Sequence, residues 1–188
     1  MNIFLNPGHS PNGDPDPGAC NSALSLRECD IALSVGSKVL ELLRQDSCNV
    51  KLLQSDNLCG ETPSQPDITY AANSWPADIF VSVHCNSFNG EARGAETLVY
   101  SGSAKGYVLA DNIQKNLIAA IQAIDSAFTD RGIKERSDLA VLRYTDMPAV
   151  LIELGFIDQK DDAYILTDHQ DEIAAAIRNG IDEYCNIP

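Results

Sequence analysis

The segment Asp78-Ile79-Phe80-Val81-Ser82-Val83-His84 is apolar on both faces until its last residue. Side chains alternate across a strand, so this run needs cover above and below. Such a strand belongs at the centre of a parallel sheet with helices packed on each side. Ile3-Phe4-Leu5 is a shorter buried run that stops at Asn6-Pro7-Gly8, as a strand entering a turn does. Asn49 to Gln54, Glu96 to Tyr100, Leu139 to Arg143 and Ala149 to Leu154 read as further strands.

Helical spacing separates them. Ile31, Val35, Val39, Leu42 and Leu43 form one stripe. Leu109, Ile113, Leu117, Ala120, Ile121 and Ile124 form another, within Val108 to Ile124. A short helix is predicted over Ile68 to Ser74 and a final one over about Asp168 to Cys185, while Ser10 to Ala23 and Asn57 to Asp67 read as loops. Strands alternating with helices predict an α/β protein. The expectation is a single domain over residues 1–188, with a mostly parallel central β-sheet of about six strands and helices on both faces.

Charge excludes several partner classes. A net charge of −14 opposes binding to a phosphate backbone and to anionic membrane surfaces. No apolar run is long enough to cross a bilayer, and the N-terminus lacks the basic flank and apolar core of a signal peptide. Six cysteines (Cys20, Cys29, Cys48, Cys59, Cys85, Cys185) include no CxxC pair, which argues against a zinc ribbon or a redox motif. They read mostly as free thiols, with Cys48 and Cys59 as the local pair to check.

The polar residues at strand ends carry the functional argument. In open α/β sheets, ligands bind beyond the carboxyl ends of the strands. Of three histidines, His9 follows the first strand and His84 ends the central one, while Glu153 ends the run Ala149-Val150-Leu151-Ile152. Each has a structural reading too: His9 as a turn residue, His84 as a satisfied core histidine, Glu153 as the partner of Arg143 or Arg131. Glu28 fits a capping box, Ser25-Leu26-Arg27-Glu28, but also continues the inward stripe three residues before Ile31. A carboxylate buried over strand ends is costly unless it meets a cation. His169 reads as a solvated residue near a helix start.

Asn6-Pro7-Gly8-His9, Leu26-Arg27-Glu28-Cys29-Asp30-Ile31-Ala32-Leu33 and Phe80-Val81-Ser82-Val83-His84-Cys85-Asn86-Ser87 form an ordered set. Gly94-Ala95-Glu96-Thr97, Arg131-Gly132-Ile133-Lys134 and Pro148-Ala149-Val150-Leu151-Ile152-Glu153-Leu154-Gly155-Phe156-Ile157 continue it. Together they resemble the N-acetylmuramoyl-L-alanine amidases of type 3, over nearly the whole chain. The resemblance implies one zinc ion (Zn2+) held by His9, Glu28 and His84, with Glu153 as catalytic acid/base and Asn86 helping to shape the site. It implies peptidoglycan as substrate, cut between N-acetylmuramic acid and L-alanine at the bacterial cell wall. In that chemistry Glu153 takes a proton from water and returns it to the departing nitrogen.

The chain departs from the family pattern at three places. Ile68 stands where relatives often carry arginine, Asp158-Gln159 replaces a small residue and asparagine, and no long regulatory helix fits before Arg131. With no export signal and no separate binding domain in the sequence, the expectation is either a phage-type lysin or the excised catalytic domain of a longer secreted protein. Competing expectations are a zinc peptidase acting within the stem peptide, a non-catalytic wall-binding module, and a Cys/His hydrolase using Cys85 or Cys29. The last is disfavoured because His84 and Cys85 point to opposite faces.

Overall fold

The computed structural model describes residues 1–46, 48–61 and 64–186. Its strands are β1 (Asn2–Pro7), β2 (Cys20–Asn21), β3 (Leu26–Arg27), β4 (Asn49–Leu52), β5 (Ile79–Asn86), β6 (Ala95–Val99), β7 (Asp130–Glu135) and β8 (Ala149–Phe156). Its helices are α1 (Glu28–Gln45), α2 (Ile68–Ser74), α3 (Ala104–Gln122), α4 (Ala140–Arg143), α5 (Lys160–Asp168) and α6 (Gln170–Cys185). Six strands form one sheet in the order β4-β1-β5-β8-β6-β7, and β2 and β3 make a small separate hairpin. Every neighbouring pair in the main sheet is parallel except β6 with β8. No described helix is long and apolar enough to cross a membrane.

The doubly apolar β5 sits where its composition demands. Ile79, Val81 and Val83 face a core shared with α1, α3 and α6, while Phe80 faces a second core with α2 and α4. The second face is covered only in part. Phe4, Phe80, Leu98 and Leu151 are buried under the short helices, and the same alternation carries the fully buried Ser82 and, at the end of β5, the partly exposed His84. Ile68 is fully buried in this second core, a place for an aliphatic side chain rather than a solvated arginine.

Besides short pieces within the expected loops, three elements differ from the sequence expectation. Leu139 to Arg143 is not a strand: Leu142 and Arg143 N–H groups both return to the Leu139 carbonyl, and α4 turns Val141 and Leu142 together into the second core. A five-residue apolar run fits either geometry, and packing decided it. β7 occupies Asp130–Glu135, where only Ile133 is apolar. It is an edge strand paired with β6 alone, and edges carry charge. α5 precedes the expected last helix and buries Ala163, Ile165 and Leu166 behind acidic residues. His169 lies between α5 and α6 and pairs with Glu172.

Candidate active site

Glu28 opens α1, and the preceding hairpin decides where it points. Leu26–Arg27 pairs with Cys20–Asn21, so the chain enters the helix from a strand. The Glu28 and Cys29 N–H groups donate to the Ala19 and Pro17 carbonyls, at 2.9 and 3.1 Å. These bonds satisfy donors that a cap would otherwise serve. Ser25 has φ of +56° and is not the cap; the capping-box reading fails. The Glu28 side chain instead turns inward and is buried.

There it meets both strand-end histidines. Glu28 Oε1 lies 2.9 Å from His9 Nε2 and 2.8 Å from His84 Nδ1, and it also accepts from the Cys85 N–H at 3.0 Å. Oε2 accepts from the Ala19 N–H at 2.8 Å. Ligand atoms of His9, Glu28 and His84 all lie within 4.8 Å of one another. Two imidazole nitrogens and a carboxylate at this spacing match a three-ligand catalytic zinc site, which keeps a fourth position open.

His9 is fixed from behind. It adopts φ of +67°, unusual for a non-glycine and characteristic of functional loops. His9 Nδ1 donates to Asp16 Oδ2 at 2.7 Å. A carboxylate only accepts, so Asp16 at Nδ1 and Glu28 at Nε2 each call for a ring proton, and a metal ion taking the place of the Nε2 proton would leave Nδ1–H on Asp16. Gln54 braces the same turn, its Nε2 donating to the carbonyls of Gly8 and Cys29 at 3.0 Å each. It ties the end of β1 to the start of α1. Burial alone would lower the His9 pKa, but Glu28 and then Asp16 outweigh it and push it up to about 9. For Glu28, burial acts upward, yet the bonds and charges of His84 and His9 hold it well below the usual carboxylate range. The carboxylate is thus ionised where a cation would need it.

Glu153 is the Cα partner of His84 across β5 and β8. It forms no ion pair among the described residues: Arg131 pairs with Glu96, and Arg143 lies over Tyr144. Its Oε2 is sealed from solvent without a hydrogen-bond partner. Burial, reinforced by Glu28 and Glu96 and opposed by His84, pushes its pKa up to about 7. A cavity of about 150 Å³ opens beside His9 and His84, walled by Leu58, Leu139, Val141 and Leu151.

Every site residue expected from the sequence therefore lies on one rim. Two neighbours were not foreseen there. Asp16 is one of several acids in a Pro/Asp-rich loop, with nothing in the spacing to single it out. Glu96 starts β6 and is the Cα partner of Glu153 in the antiparallel pair. All six cysteines are free; Cys59 bonds Thr69, and burial raises the thiol of Cys85 well above its ordinary value.

The N-acetylmuramoyl-L-alanine amidase family model matches residues 3–183. The chain belongs to this family. The sporulation-specific N-acetylmuramoyl-L-alanine amidase of Bacillus subtilis is 35% identical over 190 residues, covering 100% of this chain and 69% of that protein. The endolysin of Bacillus phage SPP1 is 36% identical over 195 residues, covering 98% of this chain and 66% of the endolysin. Among solved structures, the N-acetylmuramoyl-L-alanine amidase AmiC2 of Nostoc punctiforme superposes with a TM-score of 0.83 at 27% identity, covering 100% of this chain and 98% of that one. The chain spans between 35% and 84% of the length of curated relatives it matches. Family and fold together make it an amidase domain.

Proposed function

We propose that the amidase acts as one catalytic domain over residues 1–188. It hydrolyses the amide between N-acetylmuramic acid and L-alanine in bacterial peptidoglycan, using one zinc ion held by His9, Glu28 and His84. One observation carries the reading: three donors from separate elements converge beside a carboxyl, that of Glu153, whose Oε2 has no partner. Zinc bound there supplies a Lewis acid for the scissile carbonyl and lowers the pKa of water from about 15.7 toward roughly 7.

The remaining chemistry belongs to the chain. With a metal in place of their ring protons, His9 and His84 would each offer one ring nitrogen and Glu28 one negative charge, and Asp16 would hold the His9 Nδ1–H so that Nε2 faces the metal. Glu153 takes a proton at its carboxyl oxygen and returns it to the departing alanine nitrogen, because an amide nitrogen leaves only when protonated. Burial raises the Glu153 pKa above the ordinary carboxylate range, which favours its holding a proton before delivering it. Relatives named as a phage endolysin and a sporulation amidase support action at the bacterial cell wall.

The test is product analysis on purified peptidoglycan. Mass spectrometry should find peptides with free N-terminal alanine and intact glycan strands, lost with chelator and restored by zinc. Glu153→Gln should retain zinc and lose at least about a hundred-fold in kcat, whereas His84→Ala should lose zinc as well. Cuts inside the stem peptide would replace this reading with a peptidase. Near-normal turnover in Glu153→Gln would remove the proposed proton carrier.

A further inference from the structure

The pairing of β7 with β6 slips once. Ala95 faces Asp130 but Glu96 faces Gly132, which leaves Arg131 as the extra residue of a bulge. Gly132 has φ of +73°, and a Cβ there would meet nothing within 4 Å. The glycine answers to the backbone path, not to crowding. Bulges re-aim the side chains they carry. A second slip, in β8 between Glu153 and Phe156, brings Phe156 opposite Asn86.

The two slips meet. Arg131 Nε donates to Glu96 Oε2 at 3.0 Å, and its guanidinium lies 5.0 Å from the Phe156 ring centroid. Asn86 Nδ2 donates to the other Glu96 oxygen at 3.4 Å. Arg131 is thus held from below by a ring and from one side by a carboxylate that is itself braced. Its terminal nitrogens, Nη1 and Nη2, have no partner among the described residues, and the side chain is 35% exposed. A fixed guanidinium with an open fork suits a carboxylate. In a protein of net charge −14, on a rim that also carries Glu153, an open cation also offsets the repulsion an acidic substrate would meet.

Distance sets which carboxylate it reaches. Neighbouring strands lie about 4.8 Å apart, so β7 is about 10 Å, two strands, beyond Glu153. Arg131 leans back toward Glu96 and shortens that gap. An extended peptide advances roughly 3.3–3.6 Å per residue, which puts the reachable group about two residues past the nitrogen that Glu153 protonates. We infer that Arg131 is a specificity-determining residue that binds, through Nη1 and Nη2, a free carboxylate on the second residue of the departing peptide, with Glu96 and Phe156 positioning it. The inference rests on the amidase reading above.

Two muramoyl-peptides differing only in carboxylate or carboxamide at that residue test it. The zinc-loaded amidase should favour the carboxylate about ten-fold in kcat/KM, mostly through KM. Arg131→Gln should bring the ratio below about two-fold, and Arg131→Lys, which keeps charge but loses the fork, should fall between. Both substrates meet the same Glu153, so any disturbance of proton transfer cancels in the ratio. A second readout needs no turnover: calorimetry of metal-free protein with the matching product dipeptides should show the same preference, lost in Arg131→Gln. Equal handling of both substrates by the wild type, or a preference that survives in Arg131→Gln, overturns the inference. Cleavage of neither substrate counts against the amidase reading instead, and dipeptide binding then decides the role of Arg131 alone.

Discussion

Gly8 stands where the site has no spare room, and Gly8→Ala exploits that. A Cβ built at this position would lie 2.2 Å from His84 Cε1 and 2.5 Å from His84 Nε2, whereas ordinary contacts begin near 3.4 Å. The obstacle is a ring already held by Glu28 at 2.8 Å. The Gly8 N–H bond to the Val83 carbonyl, 2.9 Å, survives the substitution. The imidazole must therefore retreat by roughly 1 Å, several times the ~0.2 Å that zinc–ligand distances tolerate. One of three ligands is effectively withdrawn. Zinc affinity should fall at least about a hundred-fold, read by competition against a chromogenic chelator, while the circular dichroism of the metal-free protein stays close to wild type and its thermal transition falls by roughly 2–10 °C. Activity should return in part at high zinc. A Gly8→Ala protein that binds zinc within about three-fold of wild type would refute convergence of the metal on His84.

Asp16→Asn should weaken zinc binding about 10- to 100-fold with the fold intact, since it loosens the tautomer of His9 without touching a ligand; an unchanged zinc titration would refute that role. A carboxyl whose pKa rises on folding binds more protons in the native state, so the Glu153 contribution to metal-free stability is lost as pH climbs from the usual 4.5 to about 7. Metal-free Glu153→Gln should therefore exceed wild type in stability by roughly 3 kcal/mol above pH 7 and match it below pH 4.5, by urea denaturation. Equal stabilities at pH 8 would contradict the burial of an unpaired carboxylate. Asp162 is fully buried and accepts from the Gly94 and Phe156 N–H groups and from Arg93 Nε, at 2.8, 3.1 and 2.9 Å. Asp162→Ala should cost about 2–4 kcal/mol in urea unfolding by leaving two buried amides and Arg93 Nε without an acceptor, while Arg93 keeps Asp125; a loss below about 1 kcal/mol would show that they find other partners.

Much of this arrangement was legible before any coordinates. His9, His84 and Glu153 each end an apolar run, and a rule about strand ends suffices to bring such residues to one rim. Glu28 was harder, because a capping box and a ligand share the same spacing. The hairpin of two-residue strands, β2 and β3, decided it, and so short a pairing leaves no periodic trace. β7 escaped detection because an edge strand buries one face at most, so Asp130, Arg131, Lys134 and Glu135 look like loop. α4 was misread because Leu139 to Arg143 is too short for periodicity to separate turn from strand. Asp16, Glu96 and Arg131 act through partners 7 to 35 positions away in sequence, and such pairings follow from register rather than local pattern.

The central claim is that one metal joins His9, Glu28 and His84. Anomalous diffraction at the zinc edge, on crystals of the zinc-loaded protein, tests it most directly. A single strong peak should lie about 2.0–2.2 Å from His9 Nε2, His84 Nδ1 and a Glu28 carboxylate oxygen, with the Glu153 carboxyl beside its open side. A zinc peak bonded to other residues, with these three still paired only to one another in active protein, would contradict the account.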